Sequence, residues 1–331
     1  MSKKKVLWGI VLAMALSMGL IACGGSSGEE QSPSVDSASE NGEAGGGYTI
    51  GYANMNRVNA HCIKLADAIQ AAVEGAGCEY LETDAGDDAA KQLSDIDDLI
   101  SYGCDAIIID PVDSNGISSS IEACANAGIA VFVVDVECAD TTNIVSTVAT
   151  DNYAAGRQLA EYLMEQADGE PIVLAVIDYS ISETVNKRTA GFFETLDSEG
   201  AEYEVVSRQD ATATTVDAGL ELAENYLQAY GDEITDIFAF NDLTAQGAVN
   251  ACTAANIDDI RIFGIDGHDD SIDLVAGGDQ TATAMQLPVE EGQTVAQAAM
   301  DYLDGKDVEE LIYITPILVT EENAAEYQNA G

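Results

Sequence analysis

Ala130-Val131-Phe132-Val133-Val134-Asp135 is five apolar residues, mostly β-branched, closed by an acid. A run this short and this continuously apolar is what a strand buried on both faces requires. Upstream, Ile107-Ile108-Ile109-Asp110 repeats the pattern. Downstream it recurs in Ile172-Val173-Leu174-Ala175-Val176-Ile177-Asp178, in Ile237-Phe238-Ala239-Phe240-Asn241, and in Ile260-Arg261-Ile262-Phe263 running on to Asp266. Between these runs, Ile63–Gly75, Ala89–Tyr102, Ala154–Ala167, Val216–Tyr230 and Val289–Leu303 read as amphipathic helices. Leu65, Ile69, Ala72 and Val73 mark one apolar face at the helical period. Strands and helices that alternate in this way predict an α/β fold of doubly wound parallel sheets, joined by right-handed crossovers.

The polar residues fall at the strand ends: Asp84, Asp110, Asp135, Asp178, Asn241 and Asp266. Ligands of open α/β sheets bind outside the carboxyl ends of the strands. Asp and Asn also favour turns and helix N-caps, and Asp84 and Asp110 are expected to be such caps.

Composition narrows the function. The 331 residues carry 12 Lys+Arg against 59 Asp+Glu, a formal net charge of −47. Phosphate backbones need Lys/Arg stripes, so nucleic acid is excluded as a partner. With 47% hydrophobic and 21% charged residues, most of the chain is expected to be globular and long enough for two domains.

The start of the chain differs from the rest. Lys3-Lys4-Lys5 precedes an uncharged apolar run, Val6 to Ala22, which suits the h-region of a signal peptide over 1–22. Leu20-Ile21-Ala22-Cys23, followed by Gly24-Gly25-Ser26-Ser27-Gly28, resembles the lipobox of bacterial lipoproteins. That resemblance implies cleavage before Cys23, diacylglycerol on its thiol, and a location at the membrane facing out of the cytoplasm. An ordinary leader that happens to contain a cysteine is the plainer reading. Residues 23–47 are mostly Gly, Ser, Glu and Ala and read as a tether. Cys62, Cys78, Cys104, Cys124, Cys138 and Cys252 form no C-x-x-C and match no zinc spacing, so buried thiols and no metal site are expected.

Five short stretches resemble, in order, the ribose-binding branch of the periplasmic sugar-binding proteins. They are Val134-Asp135, Thr150-Asp151-Asn152, Arg188 ahead of Gly191-Phe192, Asn241-Asp242 and Gly264-Ile265-Asp266-Gly267; Gln286-Leu287-Pro288 follows as a crossover. The similarity spans residues 48 to about 320. It implies a type I periplasmic-binding-protein fold with a three-crossover hinge, near Thr150, Gln286 and Thr315. Lobe 1 would comprise 48–150 with 287–315, and lobe 2 would comprise 151–286 with 316–331. It also implies ligand contacts from Asn59 and Asp135 in lobe 1, from Arg188, Asn241 and Asp266 in lobe 2, and from Gln286 at a crossover. Planar Arg, carboxylates and amides suit vicinal hydroxyls, each both donor and acceptor. Local readings stay open beside these: Asp135 as a strand-end cap, Asn241 as a helix N-cap, Arg188 in a surface ion pair.

There are departures from the ribose pattern. Val136 stands where those proteins follow the strand-end Asp with Arg, and His61-Cys62 where they place two Phe. His61 is either a cleft contact or a packed wall residue. Tyr52, Tyr179 and Phe240 are the candidates to replace the lost stacking platform. These departures count against ribose itself and leave a related polyol or modified sugar open.

An enzyme is not expected. Gly24-Gly25-Ser26-Ser27-Gly28 matches G-x-S-x-G but lies in the tether, and there is no P-loop and no G-x-G-x-x-G. Asp266, Asp269, Asp270 and Asp273 lack EF-hand spacing and read as acids at a helix start. No cofactor is expected. The resemblance thus implies a monomeric sugar-binding lipoprotein that serves an ABC permease. A sensory receptor of the same fold, feeding a chemoreceptor or histidine kinase, and a nucleoside or amino-acid binder remain as alternatives.

Overall fold

The computed structural model describes residues 47–328. The expected leader, Cys23 and nearly all of the 23–47 tether lie outside the described residues. The chain begins with β1 (Thr49–Asn54), α1 (Ala60–Gly75), β2 (Glu79–Asp84), α2 (Ala89–Tyr102) and β3 (Ala106–Ile109). Then come α3 (Ser118–Asn126), β4 (Ala130–Val134), β5 (Ile144–Thr150), α4 (Asn152–Ala167), β6 (Ile172–Asp178) and α5 (Glu183–Glu199). The chain continues through β7 (Tyr203–Asp210), α6 (Val216–Tyr230), β8 (Asp236–Ala239), α7 (Asp242–Ala255), β9 (Arg261–Asp266) and α8 (Asp269–Gly277). It ends with β10 (Ala282–Met285), α9 (Pro288–Leu303), β11 (Leu311–Ile314), β12 (Ile317–Thr320) and the short α10 (Ala324–Tyr327).

Local chemistry sets the helix boundaries. Asp88 accepts from the Ala90 and Lys91 amides at the start of α2, Asp151 caps α4, Ser182 caps α5, and Pro288 opens α9. Gly103 and Gly200 close α2 and α5 in the left-handed conformation.

The strands form two six-stranded sheets, ordered β11-β5-β4-β3-β1-β2 and β12-β10-β9-β8-β6-β7. In each, the order reverses beside the first strand, between β1 and β3 and between β6 and β8, which opens a crevice at the carboxyl ends. The chain passes between the sheets after β5, after β10 and again between β11 and β12. All recorded pairings are parallel except β10 with β12, which run antiparallel. The expected parallel sheets are thus found, with one antiparallel edge strand on the second. Only two residues separate β11 from β12, too few for a parallel crossover.

Both faces of each sheet are covered. Ile108, Phe132 and Val134 pack on α1 and α9, while Ile107, Val131 and Val133 pack on the α2–α3 side. In the second sheet Ile237 and Ala239 face the α6–α7 core, and Phe238 faces the α4–α5 core. Truncating a residue such as Ile108 to Ala would cost about 2–5 kcal/mol. Edge strands β2 (EYLETD) and β7 (YEVVSRQD) are half polar, because only one flank and part of a face are buried. Among the described residues no helix is long and apolar enough to cross a membrane.

Candidate functional site

The first half-site is built at the carboxyl ends of β3, β4 and β5. Asp135 follows β4 with φ 63°, a left-handed conformation unusual for a residue with a Cβ. His61, in the first turn of α1, places Nε2 3.5 Å from Asp135 Oδ1 and 3.8 Å from Glu291 Oε2. Glu291 sits in the first turn of α9, wholly buried, and accepts a short hydrogen bond from the Thr150 hydroxyl. Asp110, directly after β3, is also wholly buried, and neither carboxylate oxygen finds a hydrogen-bond partner in the protein.

The ionisation of this cluster follows from crowding. Burial works against the His61 imidazolium, but Asp135 foremost, with Glu291 and Asp110, outweighs it and lifts the group to about 10. Burial and then the Asp135 charge push Asp110 far above the carboxylate range. Burial also raises Glu291, to about 7, although His61 opposes the rise. Asp135 goes the other way: burial would raise it, and the neighbouring His61 charge holds it down.

The second half-site centres on Arg188 in α5. Its Nε donates to Asn152 Oδ1 (2.8 Å) and its Nη1 to the Phe240 carbonyl (2.9 Å), and Nη1 lies 3.0 Å from Asp266 Oδ1. Gln286 Nε2 donates to the same Asp266 oxygen at 2.8 Å. Asp266 has φ 132°, a second strained acid at a strand end. Asp242 holds this loop in place, its Oδ2 accepting from the amides of Gly267 (2.7 Å) and His268 (2.9 Å). The two half-sites face each other, because side chains of one lobe reach acids of the other. Lys64 to Asp269 (3.4 Å) and Lys187 to Glu137 bridge the two sides at the rim.

The sequence-selected residues separate into two groups. His61 and Asp135 are in contact, and so are Arg188, Asp266 and Gln286. Asn241 caps α7, Oδ1 accepting from the Thr244 amide at 3.0 Å, and only that oxygen serves the cap. Asn59 is exposed and caps α1 through the His61 amide at 2.9 Å. Arg188 is buried, not in a surface ion pair. Asp84 behaves as a turn residue, accepting from the Gly86 amide. Asp110 does not cap anything, since neither of its carboxylate oxygens accepts a hydrogen bond. Tyr52 cannot offer a stacking face; its ring is fully buried in the core of the first sheet. Tyr179 and Phe240 stack on each other, centroids 5.5 Å apart. Cys62 lies on the buried face of α1, and all six described cysteines are free thiols. Glu291 and Asp110 went unread as site residues. An acid in a first helical turn, or after a strand, is common without any ligand.

Residues 50–307 match the family described as periplasmic binding protein domain. The chain is 31% identical over 265 residues to the ribose import binding protein of Bacillus subtilis, covering 80% of this chain and 85% of that one. It is 31% identical over 258 residues to a putative rhizopine-binding protein of Rhizobium meliloti, covering 76% and 83%. Among solved structures, the periplasmic component of an arabinose ABC transporter from Shewanella sp. ANA-3, bound to L-arabinofuranose, superposes with TM-score 0.76 at 28% identity. That superposition covers 85% of this chain and 94% of the other.

Proposed function

Because the chain belongs to the periplasmic binding protein family, we propose that it is the extracytoplasmic sugar-binding component of an ABC importer. Its lobes are 48–150 with 287–315 and 151–286 with 316–331, and they close on one small polyhydroxylated ligand. The closed form is then presented to the membrane permease. Cys23 carries the lipid anchor that keeps the protein at the membrane.

One observation carries the reading. Two clusters of charged and amide side chains, at the carboxyl ends of two separate sheets, face each other, with Lys64–Asp269 and Lys187–Glu137 pairs joining the two sides at the rim. Carboxylates and amides accept and donate to hydroxyl pairs, and the Arg188 fork is fixed by Asn152 and Phe240 so that it meets ligand at no further ordering cost. Asn59, His61, Asp135, Arg188, Asn241, Asp266 and Gln286 line the site in this reading. Glu291 and Asp110 set the charge of its lobe 1 wall.

The test is a thermal-shift screen of the purified chain over pentoses, hexoses, polyols, nucleosides and amino acids. A ligand at 100 times its dissociation constant adds about 2.7 kcal/mol of stability. A shift confined to sugars or polyols supports the reading. A shift given only by nucleosides or amino acids, or by none of the compounds, overturns it.

A further inference from the structure

Three metal-binding side chains that are far apart in sequence converge on the lobe 1 wall. The ligand atoms of His61, Asp135 and Glu291 all lie within 4.8 Å of one another. His61 Nε2 and Glu291 Oε2 are buried and have no hydrogen-bond partner in the protein. Asp110, directly after β3, is also fully buried and has no partner on either oxygen. An unpaired buried carboxylate is costly unless a cation or a proton balances it.

We propose that His61, Asp135 and Glu291 form a divalent transition-metal site in the wall of the cleft. The donor set, one imidazole nitrogen and two carboxylate oxygens, suits Zn²⁺ or Mn²⁺ rather than Mg²⁺. Metal–ligand bonds of about 2.0–2.2 Å place neighbouring ligand atoms roughly 3.3–3.6 Å apart. The present separations from His61 Nε2, 3.5 and 3.8 Å, need close by only a few tenths of an ångström. Thr150 already orients Glu291 through its hydroxyl, as outer-shell partners do in metal sites. With the Asp135 side chain 21% exposed, the ion would keep open positions on the cleft side. Cysteine spacing gives no hint of this site, since no cysteine takes part.

The experiment needs no sugar, so its failure leaves the transport reading standing. The chelator-stripped chain is titrated calorimetrically with Zn²⁺, Mn²⁺ and Mg²⁺ in about 0.5 M NaCl, where diffuse binding to an acidic surface is screened. One Zn²⁺ or Mn²⁺ per chain should bind, at least about tenfold tighter than Mg²⁺. His61→Ala and the near-isosteric Glu291→Gln should each weaken that site at least about tenfold. Replacing the helix-start acids with Asp269→Asn and Asp270→Asn should leave it unchanged. Circular dichroism of each variant checks folding, and Mn²⁺ electron paramagnetic resonance reports immobilisation of the ion. Absence of saturable binding to the wild type at this salt overturns the proposal, as does undiminished binding in folded His61→Ala and Glu291→Gln. His61 would then act only as the counter-ion of Asp135 and Glu291.

Discussion

Arg188 Nη1 lies 3.0 Å from Asp266 Oδ1, with both side chains nearly closed to solvent. Such a pair survives its desolvation because each partner has further hydrogen bonds: Asn152 and Phe240 on the guanidinium, Gln286 on the carboxylate. Asp266→Ala should weaken sugar binding by roughly 10- to 100-fold, since the loss of a charged hydrogen bond is worth about 1.5–3 kcal/mol. It should also cost stability, by roughly 3 kcal/mol, because Arg188 is left buried without its counter-charge. Titration calorimetry and denaturant unfolding of the same variant separate the two effects. Wild-type affinity in the folded variant would remove Asp266 from the site.

The backbone at Asp266 allows a sharper comparison. Its φ of 132° is easy for glycine and strained for any side chain. Asp266→Gly and Asp266→Ala both lose the carboxylate, yet only Ala keeps a Cβ, so the Gly variant should be the more stable by about 1–3 kcal/mol. Equal unfolding midpoints would mean that strain is not stored there.

Helices α4 and α5 touch through two glycines. A Cβ on Gly156 would overlap the Arg188 carbonyl, and one on Gly191 the Tyr153 carbonyl. Gly156→Ala must push the helices apart, at a cost of about 1–3 kcal/mol. Because Arg188 rides on α5, the same change should weaken ligand binding although no ligand contact is altered. A variant with wild-type affinity and reduced stability would uncouple the helix contact from the site.

Burial pushes the thiols of Cys104, Cys138 and Cys252 up to about 11 and that of Cys124 to about 12, and Cys62 rises further. A thiol reacts as its thiolate, so these groups should resist a disulfide exchange reagent near about pH 8 until the chain is unfolded. Their appearance should then follow the unfolding curve. Prompt reaction of any of these five thiols in the native protein would contradict this.

Cys23→Ala should release the protein from membranes or block its processing. The prediction rests on Leu20-Ile21-Ala22-Cys23 and the polar stretch after it. Cell fractionation reads the outcome, and unchanged membrane association would discard the lipid anchor.

The rim pairs Lys64–Asp269 and Lys187–Glu137 are partly exposed. Exposed pairs contribute roughly 0.2–1 kcal/mol and are screened by salt. Lys187→Ala should therefore shift affinity less than about fivefold, and by still less at high salt. A larger change that persists at high salt would place Lys187 among the ligand contacts.

Strand and helix alternation was legible in the sequence because a strand buried on both faces must be apolar throughout. Ala130–Val134 and Ile172–Ile177 show this, and Phe132 and Val131 do face opposite cores. The half-polar edges β2 and β7 carried no such pattern, and the antiparallel β12 follows from a two-residue connection to β11. Within the site, Asp135, Arg188, Asp266 and Gln286 could be selected because strand ends and motif order are local properties. Glu291 could not, and Asp110, although a strand-end acid, reads from its segment alone as a cap. Each is an ordinary acid in its own segment, and it becomes unusual only where α1, α9 and the ends of β3 and β4 bring it beside His61 and Asp135. Burial and the sum of neighbouring charges belong to the assembled fold, since they arise between residues more than 200 positions apart in sequence, such as His61 and Glu291.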